Sequence, residues 1–482
     1  MKERFFLALI GLVFSVSFIK AQSSADIYAK TIKAKNLKEH VCILASDSCA
    51  GRYIGTSGIE IARNYIINQW EKTSVLKPYL IKTWLQPFPL VTFGDKITHL
   101  QSGNSELFKY KDYMYAGKYD DFEKELPIIF AGYGKDEDFE KLDVKGKAVF
   151  ILNNNLRADI KNARTAHKYG AEFTIIANPE NTDQFESMSS QLKEIHKFKK
   201  YRSPDDTLLR SLNIKLPEYR YATISSTTVK QLTNNNINHW KNTEITDNDP
   251  IGTVKISVEP VTADTIIDNN IVAFIPGINN NESIIIGAHY DHLGIADNKT
   301  YYGADDNASG VAALIELSSI FSNAFKDGYK PLKNIIFIAF SAEEGGLWGS
   351  KYFAAHLENK DQVKLMMNID MIVRADFNHS ANPGYFYFVS KNLADSLYTQ
   401  NKLLCKKYNL TPDYSSTSNA SDHKSFLDIG IPVIFYSGGK NQDLHKPTDT
   451  PDKVNYKRME RITQMIFESI WRNAVVSKNN TQ

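Results

Sequence analysis

Histidine and acidic residues follow several apolar segments in the carboxyl-terminal half of this 482-residue sequence. Their chemistry matches a catalytic zinc site, which uses imidazole nitrogen and carboxylate oxygen and leaves one position open to water. A pair of metal ions needs about three ligands for each ion with one carboxylate shared, and two histidines with three carboxylates provide that number. The candidate metal ligands are His289, Asp306, Glu344, Asp370 and His445.

Two more acidic residues stand beside these candidates. Asp291 lies two residues after His289, where its carboxylate can orient the imidazole. Glu343 directly precedes Glu344 and can serve as general base toward a water at the metals. Each signal is weak alone, because a histidine at a strand end is usually structural and an acidic helix start is usually a cap. Together, the converging residues predict a hydrolytic site with two zinc ions.

A regular alternation of strands and helices from residue 271 onward would position these side chains. The strand candidates are Ile271–Ile275, Ser283–Ala288, Asn334–Phe340, Leu365–Ile369, Tyr385–Val389 and Pro432–Tyr436. The helix candidates are Ala308–Phe325, Gly346–Glu358, Asn392–Tyr408 and Lys457–Asn473. This alternation predicts an α/β fold with a mixed, mostly parallel sheet flanked by helices. Sites in such sheets form beyond the carboxyl ends of the strands, so we expect the candidate ligands at one edge.

The first twenty-one residues differ from the rest of the chain. Lys2 and Arg4 precede an apolar run from Phe5 to Ile19, and the small residue Ala21 follows it. This pattern predicts a secretory signal peptide at residues 1–21 and therefore an exported protein, periplasmic or secreted. The run is shorter than the ~20 residues that span a bilayer, so we expect no integral membrane span after signal removal. A retained membrane anchor is the alternative.

The remaining sequence divides by texture into four parts. Residues 22–95 are predicted as the first part of a catalytic domain, and residues 261–475 as its main part. Residues 96–260 are rich in short strands and charged turns and contain no candidate catalytic cluster, so they predict a β-rich inserted domain. Residues 476–482 are predicted as a tail.

Charge and cysteine content exclude other classes of protein. The chain carries 57 Lys and Arg against 55 Asp and Glu, and removal of the predicted signal peptide leaves a net charge of zero. Without a clustered basic face, nucleic acid is not an expected partner. The three cysteines, Cys42, Cys49 and Cys405, are too few for a disulfide scaffold and lack the C-x-x-C spacing of a zinc site. Cys42 and Cys49 are close enough in sequence either to pair or to remain reduced.

Five motifs carry the candidate residues: GAHYDHLG (287–294), GADDNASG (303–310), FSAEEGGLWGS (340–350), NIDM (368–371) and LHKPTDTPDK (444–453). Together they resemble the co-catalytic zinc aminopeptidase family, which includes secreted bacterial leucyl aminopeptidases and the glutamate carboxypeptidases. LASDSCAGRYIGTSG (44–58) looks like the amino-terminal segment of that family, and IIFAGYGKDEDFEKLDVKGKAVFIL looks like its inserted protease-associated domain. The resemblance implies a zinc-exopeptidase fold and two Zn²⁺ ions per chain.

The resemblance also implies how the ligands divide between the ions. His289, Asp370 and Asp306 would hold one zinc ion. His445, Glu344 and the same Asp306 would hold the other. Asp306 would therefore be the shared carboxylate.

Three further acidic residues receive roles from the same resemblance. Glu343 would take a proton from the bridging water and give it to the leaving amine, and Asp291 would orient His289. Asp422, in SDHKSF, matches a recurrent family motif for which we expect a structural or substrate-positioning role.

The sequence departs from the family at one functional position. Some members place a tyrosine near the scissile carbonyl, where this chain has Leu444 or residues 418–420, Ser-Asn-Ala. Tyr414 and Tyr436 are the candidates to substitute for it. Without such a tyrosine, stabilisation of the oxyanion would rest on the zinc ions or on another donor.

These features predict a metallo-exopeptidase, an exported zinc aminopeptidase acting on peptides with a free N-terminus. A carboxypeptidase or dipeptidase of the same fold is the alternative, with Arg374 as the candidate cation for a substrate carboxylate. A single-zinc glutaminyl cyclase is disfavoured by His289, which completes the second metal site. A non-catalytic binding protein is disfavoured because the ligand set and Glu343 are complete. The sequence indicates no oligomeric state.

Overall fold

The computed structural model describes residues 24–80, 82–93, 98–155, 159–195, 201–203, 218–245, 248–260, 263–382, 384–391, 395–413, 421–474 and 477–478. The predicted signal peptide, residues 1–21, lies outside the described residues. The chain forms two compact units, one comprising residues 1–90 and 266–482 and the other residues 91–265. The predicted insertion, residues 96–260, falls within the second unit.

The strands of the described chain are numbered in chain order. They are β1 (Lys77–Pro78), β2 (Leu85–Phe93), β3 (Thr98–Ser102), β4 (Ser105–Leu107), β5 (Tyr113–Gly117), β6 (Phe122–Phe130), β7 (Ala148–Leu152), β8 (Phe173–Ala177), β9 (Tyr201–Arg202), β10 (Arg220–Ile224), β11 (Gly252–Val258), β12 (Ala263–Ile275), β13 (Asn279–His289), β14 (Gly294–Ala296), β15 (Lys299–Tyr301), β16 (Tyr329–Lys330), β17 (Lys333–Phe340), β18 (Val363–Ile369), β19 (Tyr385–Lys391), β20 (Thr411–Asp413), β21 (Val433–Ser437) and β22 (Ser477–Lys478).

The α-helices are numbered in the same way. They are α1 (Ala34–Leu44), α2 (Ser57–Glu71), α3 (Asp136–Phe139), α4 (Asp159–Lys168), α5 (Thr182–Ile195), α6 (Ser226–Thr233), α7 (Ile237–Lys241), α8 (Gly310–Lys326), α9 (Trp348–Ala355), α10 (Asp395–Lys407), α11 (His423–Leu427) and α12 (Tyr456–Asn473). Short single-turn helices occur at Asp47–Arg52, Lys360–Gln362, Phe377–His379 and Pro451–Lys453, and a wider helical turn at Ala304–Ser309 leads into α8.

The main sheet of the first unit has the strand order β20-β19-β21-β18-β13-β17-β12-β2. Its central strands β21, β18, β13 and β17 pair in parallel, whereas β12 and β19 pair antiparallel with β17 and β21. The apolar runs Ile284–Ile286 and Ile335–Phe340 are fully buried, as expected where helices cover both faces of parallel strands. The predicted mixed α/β fold is confirmed, with the parallel pairs at its centre.

Helix α8 lies in the core of the first unit. It packs on α12, where the rings of Phe321 and Phe467 have centroids 4.4 Å apart. Among the described residues, one helical stretch, Ala304–Lys326, is long and apolar enough to cross a membrane, and 83% of its most apolar window is buried inside the protein. That burial is typical of a central core helix.

The second unit has its own sheet, in the order β4-β3-β11-β6-β7-β8-β10-β5. Strands β6, β7, β8 and β10 pair in parallel, whereas β5 pairs antiparallel with β10, and β11 pairs antiparallel with both β3 and β6. One face packs a large apolar cluster around Phe150, Phe173 and Trp240, and the other packs a smaller one around Val149 and Phe139. Helices α3 to α7 also belong to this unit, which therefore contains both helices and strands. Its identity as a protease-associated domain stays a prediction.

The sequence left open whether Cys42 and Cys49 form a disulfide, and the structure shows that they do not. Cys42, Cys49 and Cys405 are all free. The buried Cys49 thiol donates to the carbonyl oxygen of Ile43 at 3.3 Å.

Candidate metal centre

The ends of three adjacent parallel strands position most of the predicted site. His289 is the last residue of β13, and Asp370 directly follows β18. Glu343 and Glu344 lie in the loop after β17. Because β17, β13 and β18 are neighbours and parallel, their carboxyl ends meet at one edge of the sheet. Asp306 reaches this edge from the turn before α8.

The first cluster consists of His289, Asp306 and Asp370. The Nε2 atom of His289 lies 3.3 Å from Asp306 Oδ1 and 3.4 Å from Asp370 Oδ1. All three side chains are buried, and neither His289 Nε2 nor Asp370 Oδ1 has a hydrogen-bond partner among the described residues. Ligand atoms bound ~2.0–2.1 Å from one tetrahedral zinc ion lie about 3.4 Å apart. This spacing therefore fits a metal ion.

The second cluster shares Asp306 with the first. His445 Nε2 lies 3.2 Å from Asp306 Oδ2 and 3.1 Å from Glu344 Oε2. The two carboxylate oxygens of Asp306 thus face different histidines, since Oδ1 is the atom near His289. The structure brings all five predicted ligands together in two sets that meet at one carboxylate.

A third histidine, His292, belongs to the second cluster and was missed in the sequence. Its Nδ1 atom lies 2.6 Å from Glu344 Oε1 and 4.0 Å from Asp306 Oδ2. His292, Asp306 and Glu344 also lie within 4.8 Å of one another through one polar side-chain atom each. The available signal was the second histidine of GAHYDHLG, three residues after His289 and in the loop that follows β13.

Asp291 lies beside His289, as the sequence suggested, and it also contacts the loop that carries Glu343 and Glu344. Its backbone carbonyl oxygen lies 3.2 Å from His289 Nδ1, while its carboxylate Oδ1 is 3.7 Å from that nitrogen. The carboxylate instead accepts the backbone N–H groups of Glu343 and Glu344, at 3.1 and 3.2 Å. Asp291 therefore holds the loop with the predicted base as well as the imidazole.

The charges of the two clusters are arranged to attract cations. The side chain of His445 is half-exposed; its partial desolvation opposes protonation, but hydrogen bonds to Asp306 and Glu344 raise the pKa of His445 to about 11. Burial alone would raise the pKa of Asp306, but contacts with His289 and His445 hold it well below its usual range. The carboxylates therefore stabilise positive charge at this edge, which a divalent cation can supply in place of protons.

Glu343 differs from the other carboxylates. Burial raises the pKa of Glu343 well above its usual range, and the neighbouring Glu344 raises it further against the opposing effect of His289. Its Oε2 atom lies 4.0 Å from His289 Nε2, beside rather than within the first cluster. A carboxylate with a raised pKa next to a metal position is suited to accept and return a proton.

The side chain of Arg52 ties together the loops that carry the first cluster. It is fully buried and donates to four backbone carbonyl oxygens, those of Leu44, Tyr290, Tyr302 and Gly303, at 2.7–2.9 Å. Tyr290 follows His289, and Gly303 precedes the segment of Asp306. Arg52 therefore fixes the distance between two of the ligand segments.

Asp449 ties Asp306 to the segment of His445. Its carboxylate accepts the backbone N–H groups of Asp305 and Asp306 at 3.0–3.1 Å. Because Asp449 lies four residues after His445, the same short segment supplies one ligand and holds another. The second cluster is thus braced by backbone contacts outside its ligand set.

A cavity of about 740 Å³ adjoins both clusters. Its lining includes the apolar or aromatic side chains of Leu347, Met371, Tyr387, Phe435 and Leu444. Volumes of this size suit small ligands or a few residues of a peptide.

Tyr414 and Tyr436 were the candidates for a tyrosine near the scissile carbonyl. The suggestion of Tyr436 is wrong, because this residue is fully buried and its hydroxyl contacts Asn401 and Ser469 instead of the cavity. Tyr414 and residues 418–420 lie outside the described residues. Tyr387 lines the cavity, and its hydroxyl donates to Asp376.

Two other predicted residues have defined surroundings. Arg374 pairs with Asp443 and does not line the cavity. Asp422 is fully buried directly before α11, and burial raises the pKa of Asp422 to about 7, against the opposing effect of His289. Its structural or substrate-positioning role stays a prediction.

Clustered imidazoles and carboxylates at the carboxyl edge of a mixed α/β sheet are the arrangement expected of a metal-dependent hydrolase. Residues 270–470, which contain all five predicted ligands, match the family model described as Peptidase family M28. This part of the chain is therefore similar to peptidase family M28.

Individual relatives agree with this assignment. Aminopeptidase YwaD of Bacillus subtilis (strain 168) is 23% identical over 354 residues, covering 71% of this chain and 67% of that protein. Three other curated relatives are each 30% identical, and the chain covers 48–66% of their length. The chain thus spans about half to two thirds of the length of the curated relatives it matches.

Solved structures show the same fold at low identity. The aminopeptidase from Aneurinibacillus sp. strain AM-1 has a TM-score of 0.56 at 21% identity, and BSAP, a zinc aminopeptidase from Bacillus subtilis, has a TM-score of 0.55 at 18% identity. Both matches cover 94% of this chain and 97% of the other chain.

Proposed function

We propose that this protein is an aminopeptidase whose active site holds two zinc ions. The observation that carries the proposal is the position of Asp306, whose Oδ1 lies 3.3 Å from His289 Nε2 and whose Oδ2 lies 3.2 Å from His445 Nε2. One carboxylate between two imidazoles is what a pair of neighbouring metal ions requires. The imidazole and carboxylate donors suit zinc, and the relative BSAP is described as a zinc aminopeptidase.

Two sets of residues would hold the ions. His289, Asp306 and Asp370 would bind one, and the second would lie between Asp306, Glu344 and His445. Zinc bound by these residues would supply Lewis-acid polarisation of the scissile carbonyl and would lower the pKa of a bound water.

Glu343 would move the proton. It takes the proton that the attacking water loses as the new C–O bond forms, and it returns that proton to the amine as the C–N bond breaks. The buried surroundings that raise the pKa of Glu343 favour the protonated form between these two events. Asp291 keeps Glu343 in place through the backbone N–H of that residue.

The cavity suits the amino-terminal residue of a peptide. Apolar side chains such as Met371, Phe435 and Leu444 would surround the substrate side chain. Relatives that are named as aminopeptidases support a substrate with a free α-amino group. The enzyme we propose is exported, and the amino-terminal pattern of residues 1–21 is the support for this.

A second candidate function is carboxypeptidase or dipeptidase action. The charge of Arg374 is already paired with Asp443. Lys440, an exposed cation at the cavity, is the residue that favours this candidate. The two activities differ in whether the substrate needs a free amino group or a free carboxylate.

The test compares metal content and substrate requirement. The chain from Gln22 is purified, its zinc content is measured, and hydrolysis is followed with aminoacyl-p-nitroanilides, their N-acetylated forms and unmodified dipeptides. We expect about two zinc ions per chain and cleavage restricted to free-amine substrates. Glu343→Gln should lower kcat about 10²–10⁴-fold because the proton acceptor is lost. Glu358→Gln, a change at an exposed glutamate of the same unit, is the control.

Each other outcome has a definite meaning. Cleavage of dipeptides but not of aminoacyl-p-nitroanilides would favour the second candidate. Fewer than two zinc ions in the wild-type protein, or full activity of Glu343→Gln, would contradict the proposed mechanism.

A further inference from the structure

His292 has no role in the function proposed above, although it lies inside the second cluster. Its side chain is almost fully buried, with 1% of the residue exposed. Its Nδ1 atom is 2.6 Å from Glu344 Oε1, and the other oxygen of that carboxylate, Oε2, is 3.1 Å from His445 Nε2. Two histidines therefore face the two oxygens of a single carboxylate.

Contacts with Arg52 and Gly303 hold the imidazole of His292 in place. Its backbone N–H donates to the carbonyl oxygen of Arg52 at 3.1 Å. Gly303 packs against the ring so closely that a Cβ there would lie 2.6 Å from the ring atoms Cγ and Cδ2. Arg52 also holds the Gly303 carbonyl, at 2.9 Å. The ring therefore cannot withdraw from Glu344 without moving this braced segment.

The surroundings of the ring indicate where its proton lies. His292 Nε2 is buried without a hydrogen-bond partner among the described residues. An unpaired buried N–H is rarer than an unpaired acceptor, so the proton belongs on Nδ1 and Nε2 is the bare nitrogen. The tautomer is thus assigned from the hydrogen-bond network.

The distance to Glu344 distinguishes a hydrogen bond from metal ligation. At 2.6 Å, the contact from Nδ1 to Oε1 has the length of a short charge-assisted hydrogen bond. Two ligands of one zinc ion would lie about 3.4 Å apart. The contact therefore matches donation of Nδ1–H to the carboxylate.

We propose that His292 is a positioning residue for the second metal ion. By donating to Glu344 Oε1, it fixes the orientation of the carboxylate and leaves Oε2 directed toward His445 and the metal. Asp291 holds the backbone of Glu344 at the same time. The short segment 289–292, which begins at the last residue of β13, thus supplies a ligand of the first ion, His289, and two residues that position a ligand of the second. This inference rests on the proposed two-zinc site.

The test measures zinc affinity independently of activity. Zinc-loaded wild-type protein and the variants His292→Ala and His292→Asn are titrated with a competing chelator, which gives a dissociation constant for each ion. Cobalt-substituted samples are examined by visible absorption, which reports the coordination number. His356→Ala, a change at an exposed histidine of the same unit, is the control.

We expect His292→Ala to lower the affinity for the second zinc ion alone, by about 10–100-fold, as for other residues that orient metal ligands. Asparagine can place an amide N–H near the position of Nδ1, so His292→Asn should recover most of the affinity. Both variants should keep the cobalt spectrum of the wild type.

Three outcomes would overturn the inference. Unchanged zinc affinity in His292→Ala would mean that His292 does not act on the metal site. A loss in His292→Asn equal to that in His292→Ala, with an altered cobalt spectrum, would identify His292 as a ligand. Loss of both ions together would indicate a general structural role. The proposed function itself would be contradicted by a different result: a wild-type protein that binds fewer than two zinc ions or that does not hydrolyse the substrates.

Discussion

Replacement of Arg52 by lysine tests how the metal centre is braced. The guanidinium of Arg52 uses three nitrogen atoms to contact four carbonyl oxygens from separate segments. Arg52→Lys keeps the positive charge but offers a single nitrogen, which cannot contact four converging groups at once. The variant therefore isolates the geometry of the contacts from their charge.

The expected loss follows from the number of contacts. The lysine ammonium has three N–H donors, so at least one of the four carbonyl oxygens should lose its donor in Arg52→Lys. A hydrogen bond that involves a charged group contributes about 1.5–3 kcal/mol, so the free energy of unfolding should fall by at least that amount. Arg461→Lys is the matched control, because Arg461 donates to one carbonyl oxygen at the surface, that of Asn409. We expect its effect to stay within about 0.5 kcal/mol.

The assay is urea unfolding followed by tryptophan fluorescence. Trp240 is the one tryptophan of five in the second unit, so the signal reports mainly on the first unit. A chelator is present throughout, because bound zinc would add its own stabilisation. A loss below about 1 kcal/mol, or one equal to that of Arg461→Lys, would refute the view that Arg52 braces these segments.

Two further predictions concern other parts of the chain. Burial raises the pKa of Asp159 from 3.8 to about 7, so the unfolded state releases this proton at a lower pH than the folded state, and the stability of the second unit falls as the pH rises from about 4 to 7. Asp159→Asn should therefore gain up to roughly 4 kcal/mol over the wild type at pH 8 and little at pH 4, measured by urea unfolding with circular dichroism, and equal gains at both values would contradict this. Gly303→Ala should lower the zinc content after gel filtration, because its Cβ would lie 2.1 Å from the Asp306 carbonyl oxygen and 2.6 Å from the His292 ring. Gly328→Ala, also at positive φ but with no atom within 4 Å, should retain zinc, and the same zinc content in both variants would be the contrary result.

The sequence was sufficient to predict the sheet and the edge that carries the site. Strands β13, β17 and β18 are apolar runs of β-branched and other large residues that end abruptly in polar loops. Such runs are typical of buried parallel strands, and the polar residues that follow them must lie at the carboxyl edge. The prediction therefore depended on local composition and on a general rule of topology.

The prediction for Tyr436 failed because of strand periodicity. Phe435 and Ser437, its two neighbours in β21, both line the cavity. Successive side chains of a strand point to opposite faces, so Tyr436 must point away from the cavity. The sequence predicts that side chains alternate along β21, but it does not show which face of the strand lines the cavity.

The role of His292 depends on contacts that no local pattern contains. Its ring reaches Glu344 because Arg52 and Gly303, both distant in sequence, fix the loop after β13. Spacing along the chain identified His289 and Asp291 but could not show which way the next histidine would turn.

The Arg52 contacts also bear on when the centre is assembled. Arg52 and Gly303 are separated by 251 positions along the chain, and the second unit lies between them in sequence. Contacts with such sequence separation form slowly, because a large loop must close before they contribute. Because synthesis starts at the amino terminus, Arg52 is made long before the segments around Tyr290 and Gly303 that it contacts. The ordered metal centre is therefore a late product of folding, and the carboxyl-terminal segment produced alone would lack one of its braces.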